Sequence, residues 1–406
     1  MLDTVAPEAV GMDSGQLGRI AQHLQQRYVD PVKIPGSITL VARRGQPCYL
    51  DVQGMRDVER GTPMTANSIL RIYSMTKPIT SLALMTLQEQ GLFSLDDPVH
   101  RYIPAWRGLR VRTGGSYPLF LSERPARHMT IRDLFMHTSG LTYGFMHATN
   151  IDAAYRELKL GLPQADYTLQ DMIDQLSQLP LEFSPGERWN YSVATDVLGY
   201  LVEIISGQSL PDYLQATIFQ PLGMTDTSFE IAPDKVERFA SCYERNLQKQ
   251  MVLCDDGQDS HYASRSYYSG GGGLVSTVHD YYRFSQMLLN GGTLDGQRII
   301  GSRTLDFMTR NHLPGGADMG EFASGGFSES AYAGVGFGLG FASKLNPVQN
   351  GYPASKGSYF WGGLASTLFW VDPVEELVVI FMTQLIPSST FNFRGQLENI
   401  VYAALD

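Results

Sequence analysis

Arg71-Ile72-Tyr73-Ser74-Met75-Thr76-Lys77-Pro78 is the stretch around which the chain is organised. The pattern is typical of a short extended run that turns into a helix ending near Gln90. Pro78 lacks an N–H and is tolerated in a first helical turn, so the helix begins near Ser74. Lys77 lies three residues after Ser74 and therefore on the same side of the helix. The pair is a candidate nucleophile with a candidate base.

Taken alone, a Ser-x-x-Lys spacing is a weak signal in a chain with 32 serines. The alternative interpretation is a helix cap beside a solvated lysine. None of the other lysines has a serine three residues before it, at positions 33, 159, 235, 249, 344 and 356. The motif therefore needs support from elsewhere in the chain.

Composition places the 406-residue chain among ordinary globular enzymes, with 43% hydrophobic and 18% charged residues. The net charge of -10 argues against nucleic acid or an anionic membrane as partners. Cys48, Cys242 and Cys254 have no metal or redox spacing and are expected to be free thiols in a reducing compartment. With no signal peptide or membrane span in the pattern, we expect a cytoplasmic protein, and we expect it to need no cofactor or metal.

Periodicity predicts strands at both ends of the chain and helices between them. A helix over 13–28 and a hairpin of 37–42 with 48–54 come first, and no strand is expected from 91 to 229. The segment 231–268 has no clear pattern. Strands return at 335–342, 357–371 and 376–384, followed by a helix at 391–404. Neither end alone has enough strands to be stable, so both must contribute to one sheet.

This order predicts a discontinuous sheet domain, 1–90 with 265–406, and a mainly helical inserted domain, 91–264. Ser74 then lies where the two meet, and domain interfaces favour pockets.

Acyl transfer by a serine and a lysine benefits from a second proton carrier. Tyr191 lies in Pro185-Gly186-Glu187-Arg188-Trp189-Asn190-Tyr191-Ser192-Val193, just before a helix at 192–206. Its hydroxyl can project into a cleft, and because free tyrosine titrates near ~10, it could act as a base only with cationic help from a nearby Lys77. For any one of 21 tyrosines, a structural role is the alternative.

Two glycine-rich stretches favour close backbone approach to a site. Gly362 and Gly363 follow Trp361, so the Leu364 N–H can join the Ser74 N–H as an oxyanion hole, with Trp361 as an apolar wall. The alternative there is a β-bulge with a buried aromatic residue. The run 270–273 is not followed by Gly-Lys-Ser/Thr and does not fit a phosphate loop.

Ser74-x-x-Lys77, Tyr191-Ser192-Val193 and Trp361-Gly362-Gly363, in this order, resemble the class C β-lactamase superfamily, most of all its family VIII carboxylesterases. The resemblance implies an α+β fold like that of β-lactamases and penicillin-binding proteins. In it, an antiparallel sheet flanked by helices carries a large inserted all-helical domain. It also implies that Ser74 is the nucleophile, Lys77 its activator and Tyr191 the proton shuttle, with Ser74 and Leu364 supplying the oxyanion hole. Trp361, Gly362 and Gly363 would contact the substrate.

Two departures from the lactamase pattern indicate the substrate. Val193 replaces the asparagine of Tyr-x-Asn, and Trp361 replaces the lysine of Lys-Thr/Ser-Gly. A site without these polar side chains recognises poorly the substrate groups that such side chains would bind. The leading hypothesis is a serine carboxylesterase acting on short-chain or aryl esters. The alternatives are an acyltransferase to an alcohol, a weak β-lactamase or D-amino-acid peptidase, and a non-enzymatic penicillin-recognising protein. Oligomeric state is not predicted.

Overall fold

An eight-stranded antiparallel sheet joins the two ends of the chain. The computed structural model describes residues 2–162, 165–323 and 331–405. Its strands in chain order are β1 Gly36–Arg43, β2 Gln46–Asp57, β3 Thr62–Pro63, β4 Leu70–Arg71, β5 Val111–Ser116, β6 Leu119–Glu123, β7 Cys242–Arg245, β8 Met251–Asp255, β9 Val275–Ser276, β10 Thr293–Leu294, β11 Gln297–Arg298, β12 Val335–Phe337, β13 Ala342–Lys344, β14 Tyr359–Gly363, β15 Thr367–Asp372, β16 Leu377–Met382 and β17 Leu385–Ile386. The large sheet has the order β12-β13-β14-β15-β16-β1-β2-β3.

The centre of this sheet explains why the chain ends must meet. Every residue of β1 is buried, and β1 pairs with β2 on one edge and with β16 on the other. β16 is likewise buried throughout. Strands buried on both faces are typically apolar along their whole length. β16 follows this pattern, whereas β1 buries Ser37, Thr39 and Arg43 together with its apolar residues.

Helices cover the sheet and supply most of the regular secondary structure of the inserted segment. They are α1 Ser14–Leu24, α2 Thr76–Glu89, α3 Ile131–Phe135, α4 Asn150–Glu157, α5 Leu169–Leu176, α6 Ala194–Ser206, α7 Leu210–Leu214, α8 Gln220–Leu222, α9 Val278–Leu289, α10 Ser302–Thr309, α11 Met319–Phe322, α12 Pro347–Asn350 and α13 Phe393–Tyr402. α9 packs on β1, β15 and β16, while α1 packs on α13 and β2. The expected α+β class, with an antiparallel sheet flanked by helices, is confirmed.

The junction between sheet and helical segment lies at α2. Its residues from Thr76 to Leu87 are all buried, because α2 packs against α6 and α7 of the inserted segment while the turn before it packs on β14 and β15. The residues at the start of α2 therefore face elements from both parts. The exact division of the chain into domains stays a prediction.

Three strand assignments from the sequence were wrong. The single run expected at 335–342 is two strands, β12 and β13, which pair with each other across a bend. β5 and β6 form a hairpin inside the segment where only helices were expected. Their exposed faces and the glycines of β5 hide the alternation that marks a strand. The single run expected at 357–371 is two strands, β14 and β15, joined by a turn. The unassigned segment 231–268 contains β7 and β8.

Over the described ranges, with gaps at 163–164 and 324–330, no helix has the length and apolar character needed to cross a membrane.

Candidate active site

Ser74 lies in a tight turn that leads directly into α2. Tyr73–Met75 form a single 3₁₀ turn, and α2 starts at Thr76, so Pro78 occupies the third helical position, where its missing N–H costs nothing. Tyr73 has a positive φ of 40°. A bulky residue in this region is strained, and such strain persists only where surrounding structure enforces it. The Ser74 side chain is buried but for 8% of its surface.

The amine of Lys77 is buried beside Ser74. Its Nζ lies 3.2 Å from Ser74 Oγ, 2.9 Å from the Tyr143 hydroxyl and 2.7 Å from the Gly271 carbonyl oxygen. Only 1% of Lys77 is exposed. A buried amine is stable only where polar groups surround it, and these contacts hold it against the serine.

Tyr191 reaches Ser74 from the opposite side. Its hydroxyl lies 2.6 Å from Ser74 Oγ, and its ring centre lies 4.6 Å from Lys77 Nζ. The ring is fixed by aromatic neighbours: Trp361 at 5.5 Å and His137 at 5.0 Å between ring centres. The structure thus brings together Ser74, Lys77 and Tyr191 from distant segments. A hydroxyl between an amine and a phenol can give up its proton and attack a carbonyl carbon.

Tyr143 is a site residue that the sequence reasoning missed. It lies in the loop after α3, its hydroxyl oxygen accepts a hydrogen bond from Lys77 Nζ, and its ring centre lies 5.3 Å from that of Tyr191. Nothing in the sequence pattern distinguished this tyrosine from the other twenty. Its position depends on contacts between distant segments.

A buried carboxylate holds the backbone segment that contacts the Lys77 amine. Asp196, near the start of α6 and 1% exposed, accepts hydrogen bonds at Oδ1 from the Tyr267 hydroxyl (2.8 Å), the Ser269 hydroxyl (2.5 Å) and the Gly271 N–H (3.1 Å). Gly271 in turn presents its carbonyl oxygen to Lys77. Asp196 therefore fixes the backbone that fixes the amine, and the sequence reasoning missed it too.

The four-glycine run allows this close packing, as the sequence indicated. A Cβ at Gly271 would lie 2.6 Å from Asp196 Oδ2 and 2.9 Å from the Tyr143 hydroxyl. A Cβ at Gly270 would lie 2.8 Å from the Thr195 carbonyl oxygen. Neither position has room for a side chain.

The Trp361-Gly362-Gly363 stretch lies in β14 beside the nucleophile turn. Trp361 is fully buried and packs on Tyr191, as described above. A Cβ on Gly363 would lie 2.3 Å from the Ile72 carbonyl oxygen, so β14 and the turn carrying Ser74 are in direct backbone contact. Leu364 follows in the turn to β15. Gly362 lines a cavity of about 310 Å³. The oxyanion and substrate-binding roles of these residues stay predictions.

His137 lies beneath the site, with Nδ1 3.1 Å from the Ser192 hydroxyl oxygen. Burial, together with the positive charge of Lys77, holds the pKa of His137 well below its ordinary value. The ring is therefore neutral in the folded enzyme at pH 7, while in the unfolded chain it titrates near ~6.5.

This difference predicts a pH-dependent stability. Below about pH 6.5 the unfolded state binds a proton at His137 and the folded state does not. The free energy of unfolding therefore falls by up to roughly 1.4 kcal/mol for each unit by which the pH is lowered. Above that pH the contribution is fully present. Thermal unfolding from pH 7.5 to 5 should show a smaller loss for His137→Asn, because asparagine tolerates the φ of 56° and does not titrate. Equal losses in both proteins would contradict the prediction.

Comparison with known proteins agrees with this geometry. The family model named Beta-lactamase matches residues 21–399. Protein Rv1367c of Mycobacterium tuberculosis is 33% identical over 357 residues, covering 87% of this chain and 86% of that protein. Esterase EstB of Burkholderia gladioli is 31% identical over 398 residues, 93% of each chain. The solved structure of EstCE1, a hydrolase with promiscuous acyltransferase activity, has a TM-score of 0.78 at 26% identity and covers 96% of this chain and 98% of its own.

The matches span nearly the whole chain, and the structure has the α+β layout that the motifs led us to expect. Together they identify the chain as a member of the β-lactamase family, within its class C β-lactamase-like branch and with the β-lactamase/penicillin-binding-protein fold.

Proposed function

We propose that the chain is a serine carboxylesterase that hydrolyses short-chain or aryl esters through an acyl-enzyme at Ser74. The observation that carries the proposal is the position of Ser74 Oγ, 3.2 Å from Lys77 Nζ and 2.6 Å from the Tyr191 hydroxyl. The broader activity, that of a serine ester hydrolase, agrees with the relationship to Esterase EstB.

In the proposed mechanism, the Lys77–Tyr191 pair removes the proton from Ser74 as Oγ attacks the ester carbonyl carbon. The tetrahedral intermediate collapses when the bond to the leaving oxygen breaks, and Tyr191 returns a proton to that oxygen. Water then repeats the sequence: the pair takes its proton, the hydroxide attacks the acyl carbon, and Ser74 recovers its hydrogen. The acid and the alcohol are released.

The negative oxygen of each intermediate needs hydrogen-bond donors in a fixed position. We assign this role to the backbone N–H groups of Ser74 and Leu364. The contact between Gly363 and the Ile72 carbonyl supports the assignment, because it anchors the turn that contains Leu364 beside the turn that contains Ser74.

The substrate class follows from what surrounds the nucleophile. Val193 is fully buried, and Trp361 packs against Tyr191 and, at 5.3 Å between ring centres, against Phe337. Neither residue offers an amide or a cation to a lactam substituent or a substrate carboxylate. An uncharged ester requires neither, so it fits this environment better than a β-lactam does.

The second candidate is acyl transfer to an alcohol. EstCE1, a neighbour in structure, is described by its own title as a hydrolase with promiscuous acyltransferase activity. The same acyl-enzyme would serve, with an alcohol in place of water. Which acceptor reacts depends on access to the acyl-enzyme.

The test combines a substrate series with mass spectrometry. We expect turnover of p-nitrophenyl acetate and butyrate, slower turnover of the octanoate and little of a chromogenic cephalosporin. Rapidly quenched enzyme should gain the mass of one acyl group on the peptide containing Ser74. Added alcohol should divert product to a new ester only if the second candidate is right. Ester turnover no faster than the uncatalysed rate would refute the main proposal.

The two tyrosines should separate by kinetics. Tyr191→Phe removes the phenol hydroxyl that contacts Ser74 Oγ. It should lower kcat by about 10²-fold or more with little change in KM, because this hydroxyl serves in proton transfer. Tyr143→Phe removes only a hydrogen bond to Lys77 and should cost about tenfold or less. Steady-state kinetics on p-nitrophenyl acetate distinguish them. If Tyr143→Phe were the more damaging change, the shuttle role would belong to Tyr143.

A further inference from the structure

Cys242 and Cys254 face each other across the hairpin of β7 and β8. The pairing register shifts at this point, from Cys242 with Asp255 to Tyr243 with Leu253, so Cys254 is the extra residue opposite Cys242. The Cys254 thiol lies 3.2 Å from the Cys242 carbonyl oxygen, and the two thiols lie within hydrogen-bonding reach of each other. Residues opposed in an antiparallel pair have the Cα separation that a disulfide requires.

The two thiols differ in their surroundings. Cys242 is fully buried, whereas Cys254 is exposed to solvent. The hydrogen bond from Cys254 lowers the pKa of Cys242, and the buried guanidinium of Arg71 lowers it further against the effect of burial. The contact with Cys242 and burial raise the pKa of Cys254, so Cys242 is the more readily ionised thiol of the pair and Cys254 the more accessible one.

Cys242 also packs against residues that adjoin the candidate active site. It forms a small apolar cluster with Tyr73, Ala365 and the neighbouring Leu364. Tyr73 immediately precedes Ser74 and has the positive φ described above. The sulfur of Cys242 thus helps to hold a strained residue next to the proposed nucleophile.

We propose that Cys242 and Cys254 form a reversible disulfide when a hydroperoxide oxidises the exposed thiol, and that this bond slows turnover at Ser74. The pair is a modification site outside the catalytic residues. Its effect on turnover rests on the proposed esterase activity, whereas formation of the bond does not.

The chemistry uses one peroxide for each disulfide. The exposed Cys254 sulfur attacks the peroxide and its thiol proton passes to the leaving oxygen, so the O–O bond breaks and a sulfenic acid and water (or an alcohol) result. The Cys242 thiolate then attacks the Cys254 sulfur, the S–S bond forms, and the S–O bond breaks to release hydroxide, which takes up a proton. Two thiols are oxidised and one peroxide is reduced.

The bond should act through Tyr73. A disulfide draws the Cys242 sulfur toward Cys254 and away from its packing contact with Tyr73. The turn carrying Ser74 then loses one of the contacts that maintain its backbone conformation. We expect kcat/KM to fall at least about fivefold, the equivalent of roughly one net hydrogen bond.

The experiment treats the full-length protein with hydrogen peroxide, divides the sample and returns one half to dithiothreitol. Tryptic digestion without reductant should yield residues 239–245 linked to 250–265, and p-nitrophenyl acetate turnover should fall and then recover with dithiothreitol. Recovery separates this effect from methionine oxidation, which dithiothreitol does not reverse under these conditions. Cys254→Ser should keep its basal turnover and resist peroxide, and Cys48→Ser should respond as the parent protein does.

Three results would overturn the proposal. In the first, the peptide with Cys254 reaches the sulfinic or sulfonic acid and no linked peptide forms. In the second, the linked peptide forms and turnover does not change, which shows that the disulfide has no effect on turnover at Ser74. In the third, Cys254→Ser loses activity in peroxide as the parent protein does. If the parent protein shows no ester turnover before treatment, the proposed function fails, and the linked peptide still decides whether the disulfide forms.

Discussion

Ester hydrolysis is expected to fall by at least about 10³-fold when Ser74 is replaced by alanine, because the residues of a covalent catalytic unit fail together. The change removes one oxygen from a side chain whose neighbours, Lys77 and Tyr191, also contact other groups. The fold should therefore survive. The measurement is kcat/KM on p-nitrophenyl acetate, together with loss of the acyl group from the quenched protein.

Ser285→Ala is the matched control. Ser285 is another fully buried serine on a helix, and among the described residues its hydroxyl has no hydrogen-bond partner. Turnover should stay near that of the parent protein in this variant. Acylation that persists in Ser74→Ala would place the nucleophile elsewhere and refute the assignment.

Lys77→Arg is expected to lower kcat/KM to a similar degree, by about 10³-fold, since a guanidinium stays protonated and cannot accept the proton of Ser74. The small space around the Lys77 amine is a second obstacle to arginine at this position. The amine lies in a pocket closed by Tyr143, Gly271 and Ser74. A planar guanidinium is larger than this pocket and should also displace Ser74.

The comparison requires that the variant be folded. Thermal unfolding of Lys77→Arg shows this directly, and Lys77→Met gives an uncharged side chain of similar length as a second test. Lys356→Arg, at an exposed position, should leave turnover unchanged. If Lys77→Arg retained most activity, the lysine would serve only as an electrostatic anchor, and another base would be needed.

The sequence predicted those features that depend on local pattern. Ser74 and Lys77 come from one helical turn, and Pro78 marks where that helix begins, so their proximity follows from spacing. β16 is recognisable as an unbroken apolar run, and β1 as the first β-rich run of a hairpin. Tyr191 was found because residues next to it in sequence resembled a family, and the structure brings it within 2.6 Å of Ser74 Oγ.

The sequence could not reveal features that depend on folding of distant segments against one another. Tyr143 and Asp196 surround Lys77 and Gly271 only after α2, α6 and the loop at 269–273 have packed together. No spacing rule links these positions. The hairpin of β5 and β6 was not predicted for another reason. Its strands are largely solvent-exposed, so burial does not impose an alternation of apolar and polar residues on them.

The place of β1 between β2 and β16 has a consequence for synthesis of the protein on the ribosome. β2 follows β1 at once, but β16 is about 340 residues further along the chain and emerges tens of seconds later at typical elongation rates. During that interval an apolar strand has one unpaired edge, which is a template for association with other chains. A nascent chain therefore depends on chaperones, or on transient cover by its own helices, until its last strands arrive. Release of the chain before residue 377 would make this exposure permanent and should yield aggregates.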